Sequence, residues 1–206
     1  EVDRAGQFGI RVDDEGWKVD GPAVMERVRR ERDRFAGFVV ESTKEIPEHK
    51  RIRGHAKFVG PRTLQIDDDL KVKADTIVIA TGSHPWIPPQ LEGMREDVLV
   101  NDDIFEFEQL PESIAVVAAA FIALEIGQAL DRLGVKTHFF NPFEELGVFS
   151  DPVVEGKAKE VFNEQLNLHL KVDIYETGKV EGGYLLRWRT DDGVEHEAVF
   201  QEVLAA

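Results

Sequence analysis

A strand, a tight turn and a helix follow one another near the middle of the chain, and this pattern limits the possible folds more than any other. Residues 114–117 are an apolar run, three alanines occupy 118–120, and a helical apolar stripe runs from Phe121 to about Leu133. A second β-rich run at 135–140 follows directly. Such a β-α-β order predicts an α/β fold with a parallel sheet.

The turn resembles the dinucleotide-binding fingerprint G-x-G-x-x-G of Rossmann-like domains, but alanine stands at its three glycine positions, Ala118, Ala120 and Ala123. Those glycines permit the tight turn, let the backbone approach a pyrophosphate, and let the helix pack closely on the strand. If the turn needs a positive φ, alanine opposes it by roughly 1 kcal/mol per residue. A Cβ at Ala118 or Ala120 would also intrude on the pyrophosphate.

The end of the second strand gives a further reason to expect weak NAD binding. The fingerprint is normally completed there by an acidic residue that binds the ribose hydroxyls, whereas this chain has Asn141. Asparagine can bond a ribose, but without the strength of a charged acceptor. Glu144 and Glu145 follow closely and are less favoured substitutes. We therefore expect NAD to bind weakly or not at all.

Composition excludes several classes of function. The 206 residues carry a formal net charge of −15, which argues against nucleic acid or an anionic membrane as a partner. No apolar run approaches the roughly 18 residues of a membrane span. The chain has no cysteine, so it holds no disulfide, thiolate zinc site or redox dithiol of its own. Its six histidines lack ligand spacing, so no metal site is expected, and His138 is interpreted as a structural side chain.

The first half of the chain predicts a helix, a small sheet and a buried strand. A helix with one buried face is expected from Asp20-Gly-Pro22 to about Lys44, with Val24, Val28, Phe35 and Val39 on its apolar stripe. Short runs at 51–58, 63–66 and 70–73 predict an antiparallel β-meander, with a turn at 67–69. The nearly continuous apolar run at 74–80 predicts a buried strand of a parallel sheet.

The second half predicts one more helix and several strands. Residues 84–112 are interpreted as a connecting region, with a domain boundary near 99–107. Asp151-Pro152 predicts the start of a helix. Strands are expected at 170–175, 184–189 and 195–200, and a buried strand is expected to begin at Val203.

Three segments together resemble the flavin-dependent pyridine nucleotide–disulfide oxidoreductases, and within that family dihydrolipoamide dehydrogenase. They are residues 53–59, residues 74–83, and residues 110–117 with 122–130. Their order and separations agree with the family over nearly the whole chain. The resemblance implies two Rossmann-like FAD/NAD(P)-binding domains, three-layer α/β in fold with the small antiparallel meander. Residues 1–97 would form part of the FAD domain and residues 98–206 an NAD-type domain.

The resemblance also implies the cofactors, FAD and NAD, and the residues near them. Thr81, Gly82 and Ser83 would lie beside the FAD; the less favoured alternative is a simple strand-to-loop turn. Glu125 would lie near the nicotinamide, or be an ordinary carboxylate at a helix start. The cofactor-binding candidates on this basis are Gly54, His55, Ala56, Thr81, Gly82, Ser83, Ala118, Ala120, Ala123, Glu125, Asn141 and Val180.

In that family, electrons pass from dihydrolipoamide through a disulfide and FAD to NAD, in a homodimer. The family's redox cysteine pair and its histidine–glutamate pair have no counterpart in these 206 residues. We therefore expect a central fragment of a cytoplasmic oxidoreductase acting on a dithiol, and no turnover by the 206-residue chain alone. The alternative is a non-catalytic α/β scaffold or interaction module whose nucleotide sites are vestigial or ablated.

Overall fold

The computed structural model describes residues 2–14, 16–118, 120–147 and 149–206. Ala119, the middle residue of the alanine turn, lies outside the described residues. Contacts between Cα atoms divide the chain into two compact units, unit 1 (residues 1–30 and 85–206) and unit 2 (residues 31–84). The proposed domain boundary at 97/98 concerns the nucleotide-binding domains and stays a prediction.

The described residues form three α-helices and thirteen strands. The helices are α1 (Gly21–Glu45), α2 (Phe121–Arg132) and α3 (Pro152–Gln165). The strands are β1 (Ile10–Asp13), β2 (Gly16–Val19), β3 (Ala56–Gly60), β4 (Thr63–Ile66), β5 (Leu70–Lys73), β6 (Leu99–Val100), β7 (Ser113–Val117), β8 (Lys136–Asn141), β9 (Asn167–Leu170), β10 (Asp173–Val180), β11 (Gly183–Arg189), β12 (Glu195–Phe200) and β13 (Glu202–Ala205). Within the described part of the chain, no helix has both the length and the apolar character to cross a membrane.

Unit 1 is built on a five-stranded parallel sheet with the order β6-β13-β7-β8-β9. Helix α2 connects β7 to β8, which confirms the β-α-β unit expected from residues 114–140. After β9 the chain returns to the other side of β7, where β13 pairs with it in parallel. The strand order therefore reverses at β7, and ligands of open α/β sheets bind beside such a reversal, at the carboxyl ends of the strands.

The side chains of β7 point alternately to the two faces of the parallel sheet, and this explains the three layers of unit 1. Because successive strand residues face opposite sides of a sheet, Ala115 and Val117 pack on one face and Ile114 and Val116 on the other. The first face contacts buried residues of the antiparallel sheet β10-β11-β12, among them Leu186 and Trp188 of β11. The second face contacts buried residues of α2, Ala123, Leu124 and Leu130. A three-layer α/β arrangement is therefore confirmed.

The strand predicted at 170–175 is divided in two. Lys171 adopts a left-handed φ of 55°, so β9 ends at Leu170 and β10 begins at Asp173. The region at 84–112, interpreted as a connection, also supplies β6 to the parallel sheet. The helix expected at Asp151-Pro152 and the strands expected at 184–189 and 195–200 are confirmed as α3, β11 and β12. Asp151 caps α3, because its Oδ1 accepts hydrogen bonds from the backbone N–H groups of Val153 and Val154, at 2.8 and 3.3 Å. The buried strand expected from Val203 is β13, in which Val203 and Leu204 are fully buried.

Unit 2 contains the second part of α1 and the antiparallel sheet β3-β4-β5, which confirms the predicted meander. The prediction of one buried face along α1 is correct for Val24, in the first turn, but wrong for Phe35 and Val39, which are exposed. The ring contacts of Phe35 are local, with Phe38 edge-on at 6.3 Å and the Arg34 guanidinium over its face.

The strand predicted at 74–80 does not form. This run has no regular secondary structure, and Val78 and Ile79 are 81% and 70% exposed. A strand exists only where a neighbour pairs with its backbone N–H and C=O groups, and no described strand pairs with this run. Its apolar composition is therefore insufficient to make it a buried strand here.

Candidate functional site

The edge of the parallel sheet at the carboxyl ends of β7 and β8 holds a cavity of about 300 Å³. Its walls come from residues 86–90, from both strand ends and from residues 172–174 around the start of β10. The lining residues are Trp86, Pro88, Pro89, Gln90, Val117, Ala118, Phe140, Asn141, Pro142, Phe143, Val172 and Ile174.

A larger cleft of about 520 Å³ lies elsewhere in unit 1, between Phe107, Pro111 and Glu202. Glu202 is the first residue of β13, so this cleft lies at the amino ends of the strands. Parallel α/β sheets bind their ligands at the opposite edge. The smaller cavity is therefore the candidate site.

The turn after β7 has the conformation that its sequence disfavours. Ala118 has a φ of 154°, a region that glycine enters freely and residues with a Cβ rarely do. Ala120 is extended, with φ −83° and ψ −178°, and precedes α2 without a side-chain capping bond. The first glycine position of the fingerprint therefore keeps its glycine-like backbone while carrying a methyl group.

The close packing of helix on strand depends on a glycine that sequence reasoning missed. Ala123, at the third fingerprint position, is fully buried in the layer between α2 and the sheet. One turn later, a Cβ added at Gly127 would lie 2.3 Å from Cζ of Phe139 in β8. The available signal was a glycine within the apolar stripe of a predicted helix, where it disfavours helix formation unless packing requires it.

The side chain of Asn141 is hydrogen-bonded to the loop that follows it. Its side chain is buried, and Nδ2 donates to the backbone oxygens of Phe143 and Glu145, at 3.1 and 2.9 Å. Both amide hydrogens are thereby used within the protein. Glu144 forms an ion pair with Lys171 at 2.9 Å, and this lysine holds the pKa of the Glu144 carboxyl below its ordinary value.

The described residues at this edge therefore do not fit NAD. The first turn position carries a Cβ where a pyrophosphate would need close backbone approach, and the residue in the ribose position is a neutral amide in place of the carboxylate that accepts from the ribose hydroxyls. Two other candidates do not alter this conclusion. Glu125 lies exposed on α2, and Val180 is paired with Gly183 at the end of β10 and is not among the residues that line the cavity.

In unit 2, Gly54, His55 and Ala56 form the approach to β3, next to the turn between β4 and β5. A Cβ at Gly54 would lie 2.4 Å from Oδ2 of Asp67, so glycine is required there for packing. The backbone N–H of His55 donates to Oδ1 of Asp67 at 2.9 Å, and the Asp67 N–H donates to the His55 oxygen at 2.9 Å. This confirms the turn predicted at 67–69.

Thr81, Gly82 and Ser83 are exposed and follow the irregular run at 74–80. Gly82 has a left-handed φ of 69°, and the space where its Cβ would stand is open. A glycine of this kind lets a planar cofactor lie directly against the backbone. The residues of this segment therefore fit a flavin contact, with Gly82 supplying the close approach and the two hydroxyl groups hydrogen-bonding capacity.

Two histidines that look unrelated in the sequence, His138 and His169, lie side by side in β8 and β9. Nδ1 of His138 lies 3.0 Å from Nε2 of His169, and the His169 ring stacks on Phe140 at 4.8 Å. A third histidine, the exposed His196 of β12, stacks on Trp188 with ring centroids 5.5 Å apart. Burial lowers the pKa of His138, and burial together with the two neighbouring imidazoles lowers the pKa of His169 to about 4.

The interpretation of the histidines as scattered is therefore wrong for His138 and His169, which the parallel pairing of β8 with β9 brings side by side. Their separations along the sequence gave no signal of this meeting. Among the described residues, no group of three or more His, Cys, Asp or Glu side chains could hold a metal ion.

Comparison with known proteins places this geometry in context. A family model described as pyridine nucleotide-disulphide oxidoreductase matches residues 21–199. A mercuric reductase from Staphylococcus aureus is 33% identical over 119 residues, which are 57% of this chain and 21% of that protein. A dihydrolipoyl dehydrogenase from Synechocystis is 25% identical over 151 residues, 72% of this chain and 32% of that protein.

Among solved structures, the Cu(II) complex of the HOCl-induced flavoprotein disulfide reductase RclA from Escherichia coli superposes with a TM-score of 0.72 at 14% identity. The match covers 100% of this chain and 44% of that one, and at this identity it shows the fold alone. The chain spans about a fifth to a third of the length of these curated relatives.

Proposed function

Because the chain belongs to the pyridine nucleotide-disulphide oxidoreductase family, we propose that it is part of an FAD-dependent disulfide oxidoreductase of the dihydrolipoamide dehydrogenase type. Such an enzyme passes electrons between a dithiol/disulfide pair, FAD and NAD. Unit 2 and its segment 81–83 would contact the flavin, and unit 1 would occupy the position of the pyridine-nucleotide domain. A homodimer in the cytoplasm, with dihydrolipoamide or a similar dithiol as substrate, completes the proposal.

The observation that carries the proposal is the reversal of strand order at β7, with the fingerprint-like turn at the carboxyl end of that strand. Fold alone does not imply function, but here the turn, its glycine-like φ at Ala118 and the cavity beside it coincide. Similarity to a dihydrolipoyl dehydrogenase over 72% of the chain supports the same assignment. The dithiol step would use cysteines that these 206 residues do not contain.

Flavin content tests the role of unit 2. The purified protein should carry bound FAD, visible as yellow absorbance, and Gly82→Val should lower the flavin-to-protein ratio because a side chain would block the backbone. Gly193→Val is the matched control, since Gly193 also has a positive φ with open space around it but lies in the β11–β12 turn. A colourless protein, or equal loss of flavin in both variants, would contradict the assignment.

Calorimetry with NADH tests the nucleotide site of unit 1. We expect no binding below millimolar concentration, because Ala118 carries a Cβ and Asn141 lacks the charge of the usual ribose-binding carboxylate. Binding at micromolar NADH would show that this interpretation is wrong. The purified 206-residue chain should also show no dihydrolipoamide-dependent NAD reduction, and turnover above background would refute that expectation.

A second candidate is a non-catalytic α/β module with ablated nucleotide sites. The observation that favours it is the backbone of Ala118, which has the φ of a nucleotide-binding turn but carries a Cβ where a pyrophosphate would approach. This candidate predicts a colourless protein with no NADH binding, whereas the oxidoreductase proposal predicts bound flavin.

A further inference from the structure

The cleft of about 520 Å³ lies at the amino ends of the parallel strands, on the opposite edge of the sheet from the candidate site. Its volume is within the range of small-molecule sites. Part of its lining is apolar and consists of the half-buried ring of Phe107 with Pro22 and Pro111. The polar part includes the carboxylates of Glu108 and Glu202. None of the described lining residues is a lysine, an arginine or a histidine.

Glu202 supplies a half-buried carboxylate to this cleft. Burial of the carboxyl group and the nearby charge of Asp97 raise the pKa of Glu202, and the charge of Lys179 partly offsets the rise. Lys179 is itself paired with Asp97, at 2.7 Å. Within the described part of the chain, no group donates a hydrogen bond to the Glu202 carboxylate. A carboxylate withdrawn from water without a donor is stabilised by a cation that reaches it.

The walls of the cleft are held by hydrogen bonds that involve no ligand. The guanidinium of Arg29 in α1 donates to the backbone oxygen of Phe107. The backbone N–H of Glu112 donates to Oε1 of Gln201 at 2.7 Å, and the N–H of Gln201 donates to Oγ of Ser113 at 3.1 Å. The loop before β7 and the link between β12 and β13 are therefore in place before binding, so a ligand that enters costs less conformational entropy.

The start of α1 also borders the cleft, through Pro22. A helix N-terminus attracts anions through its free N–H groups, but proline has no N–H. The N–H groups of Ala23 and Val24 are bonded to Asp20, to Oδ1 at 3.2 Å and to the backbone oxygen at 2.9 Å. The carboxylate of Asp20 also supplies the negative charge that a helix N-terminus favours. The helix start therefore does not make this cleft an anion site.

Charge and surface chemistry together indicate the ligand. The two carboxylates favour a cation, and the net charge of −15 adds to this preference. A bare metal ion would not use the apolar surface, whereas an aromatic face attracts ammonium groups. We propose that the cleft binds a small organic cation of the primary alkylammonium class. Its ammonium group would bond to Glu202, its alkyl chain would lie against Phe107 and the prolines, and Glu108 would add negative charge.

NMR titration of the isotopically labelled protein with butylammonium, butanol and butyrate tests the proposal. The three probes have the same chain length and differ in charge, and the ionic strength is held constant because salt screens the attraction. Butylammonium should bind with a Kd below about 10 mM and shift the side-chain amide signals of Gln109 and Gln201, which line the cleft. Butanol should bind roughly fivefold more weakly, because it lacks the charge-assisted hydrogen bond. Butyrate should shift neither signal.

Two results of this titration would overturn the proposal. Butanol binding as tightly as butylammonium would show that the carboxylates do not select the ligand. Absence of a saturable shift with butylammonium up to about 100 mM, a concentration at which even very weak sites fill, would show that the cleft is not a cation site.

Variants locate the binding. Glu202→Gln should weaken butylammonium binding roughly fivefold, because it removes the charge and keeps the shape. Glu108→Gln should weaken it by about twofold, since Glu108 is exposed, and Phe107→Leu by about two- to fivefold, since the ring is lost. Glu164→Gln is the matched control, because it removes an exposed carboxylate of α3 that does not line the cleft, and it should leave binding unchanged. Binding insensitive to Glu202→Gln and Phe107→Leu would overturn the assignment.

The pKa of the Glu202 carboxyl, followed by its carbon-13 signal, separates ligand contact from a structural role. Saturating butylammonium should lower this pKa, because a cation stabilises the ionised form. An unchanged pKa in the presence of binding would show that the ammonium group lies elsewhere. Glu202→Gln should not lower the thermal unfolding midpoint, because it relieves repulsion from Asp97. If that variant nevertheless unfolds, the pKa shift in the unaltered protein decides alone.

The described lining of the cleft shares no residue with segment 81–83 or with the cavity at the carboxyl ends of β7 and β8. The cation site therefore does not depend on the proposed function, and butylammonium should leave the flavin-to-protein ratio unchanged. Flavin released by butylammonium would place its binding at the flavin segment and overturn the separate site.

Discussion

The apolar run at 74–80 in unit 2 and the strand β7 in unit 1 have similar compositions, but only β7 forms a buried strand. Val116 in β7 is fully buried, whereas Val78 is 81% exposed. Strand β7 lies between β13 and β8 and pairs with both, while the run at 74–80 has no paired neighbour among the described strands. An apolar sequence becomes a buried strand only where other strands and a covering layer complete it.

The two regions also differ in the residue that would meet a cofactor. The segment after 74–80 keeps Gly82, left-handed and open. The turn after β7 has Ala118 in a conformation that suits glycine. One region has an open, left-handed glycine after a run that forms no strand, and the other has a paired strand followed by an alanine in a glycine-like conformation. Strand formation and the conformation of the following turn therefore depend on separate residues.

The largest difference should come from truncating matched valines. Val116→Ala should lower the free energy of unfolding by about 2 kcal/mol, because it leaves a cavity in a packed core. Val78→Ala should change it by less than about 0.5 kcal/mol, as for other exposed side chains. Urea denaturation followed by circular dichroism measures both. Equal effects would show that the run at 74–80 is buried in solution, and would contradict the difference in burial between the two valines.

Two helical glycines test how tightly the strand region is packed. Gly127→Ala should destabilise unit 1 by roughly 1–3 kcal/mol, because its Cβ would overlap the buried ring of Phe139. Gly156→Ala in α3 is the matched control. It meets nothing within 4 Å, so alanine's helix propensity should raise stability by up to about 1 kcal/mol. A neutral Gly127→Ala would mean that α2 is free to move away from β8.

The pair formed by His138 and His169 should make the stability of unit 1 depend on pH. His169 has a folded-state pKa of about 4 against an ordinary 6.5, so between these values the unfolded chain binds more protons. Its contribution to stability is therefore complete above pH 6.5 and lost as the pH falls towards 4. Because the ring is only partly buried, we expect an effect of about 1 kcal/mol.

Thermal or urea unfolding at pH 7.5 and 4.5 measures this loss. His169→Phe should reduce the pH dependence, while His49→Phe, at an exposed position in unit 2, should leave it unchanged. If both variants keep the wild-type pH dependence, the pair does not titrate as the structure implies.

The smallest expected effect is an increase in the free energy of unfolding. Ala118→Gly should stabilise unit 1 by about 0.5–1 kcal/mol, since relief of backbone strain exceeds the added entropy of the unfolded chain. Ala129→Gly, at an exposed position in α2, should instead cost about 1 kcal/mol. Destabilisation by both replacements would mean that the turn at 118 is relaxed in solution. NADH binding that appears with Ala118→Gly would identify the Cβ as the obstacle.

Much of unit 1 could be predicted because its signals are local. The continuous apolar run of β7, the apolar stripe of α2 and the Asp151 cap each specify a short element through residues that are close in the chain. The failures arose where the outcome depended on distant partners. The run at 74–80 lacked a paired neighbour, the later part of α1 lacked a covering layer, and the histidines met only through the pairing of β8 with β9.

By itself, the sequence determined the α/β layering, the unusual alanines in a turn that favours glycine, and the family, because period, propensity and motif spacing are properties of adjacent residues. Only the tertiary structure decided that Ala118 keeps a glycine-like φ, that Asn141 is bonded to its own loop, and that Gly127 makes the close contact with Phe139. It also decided that Trp86 and Phe143 border one cavity. The Gly127 contact and the cavity depend on distances between different elements, which the packing of sheet, helix and loop sets. The outcomes at Ala118 and Asn141 depend on local backbone angles that residue type alone does not specify.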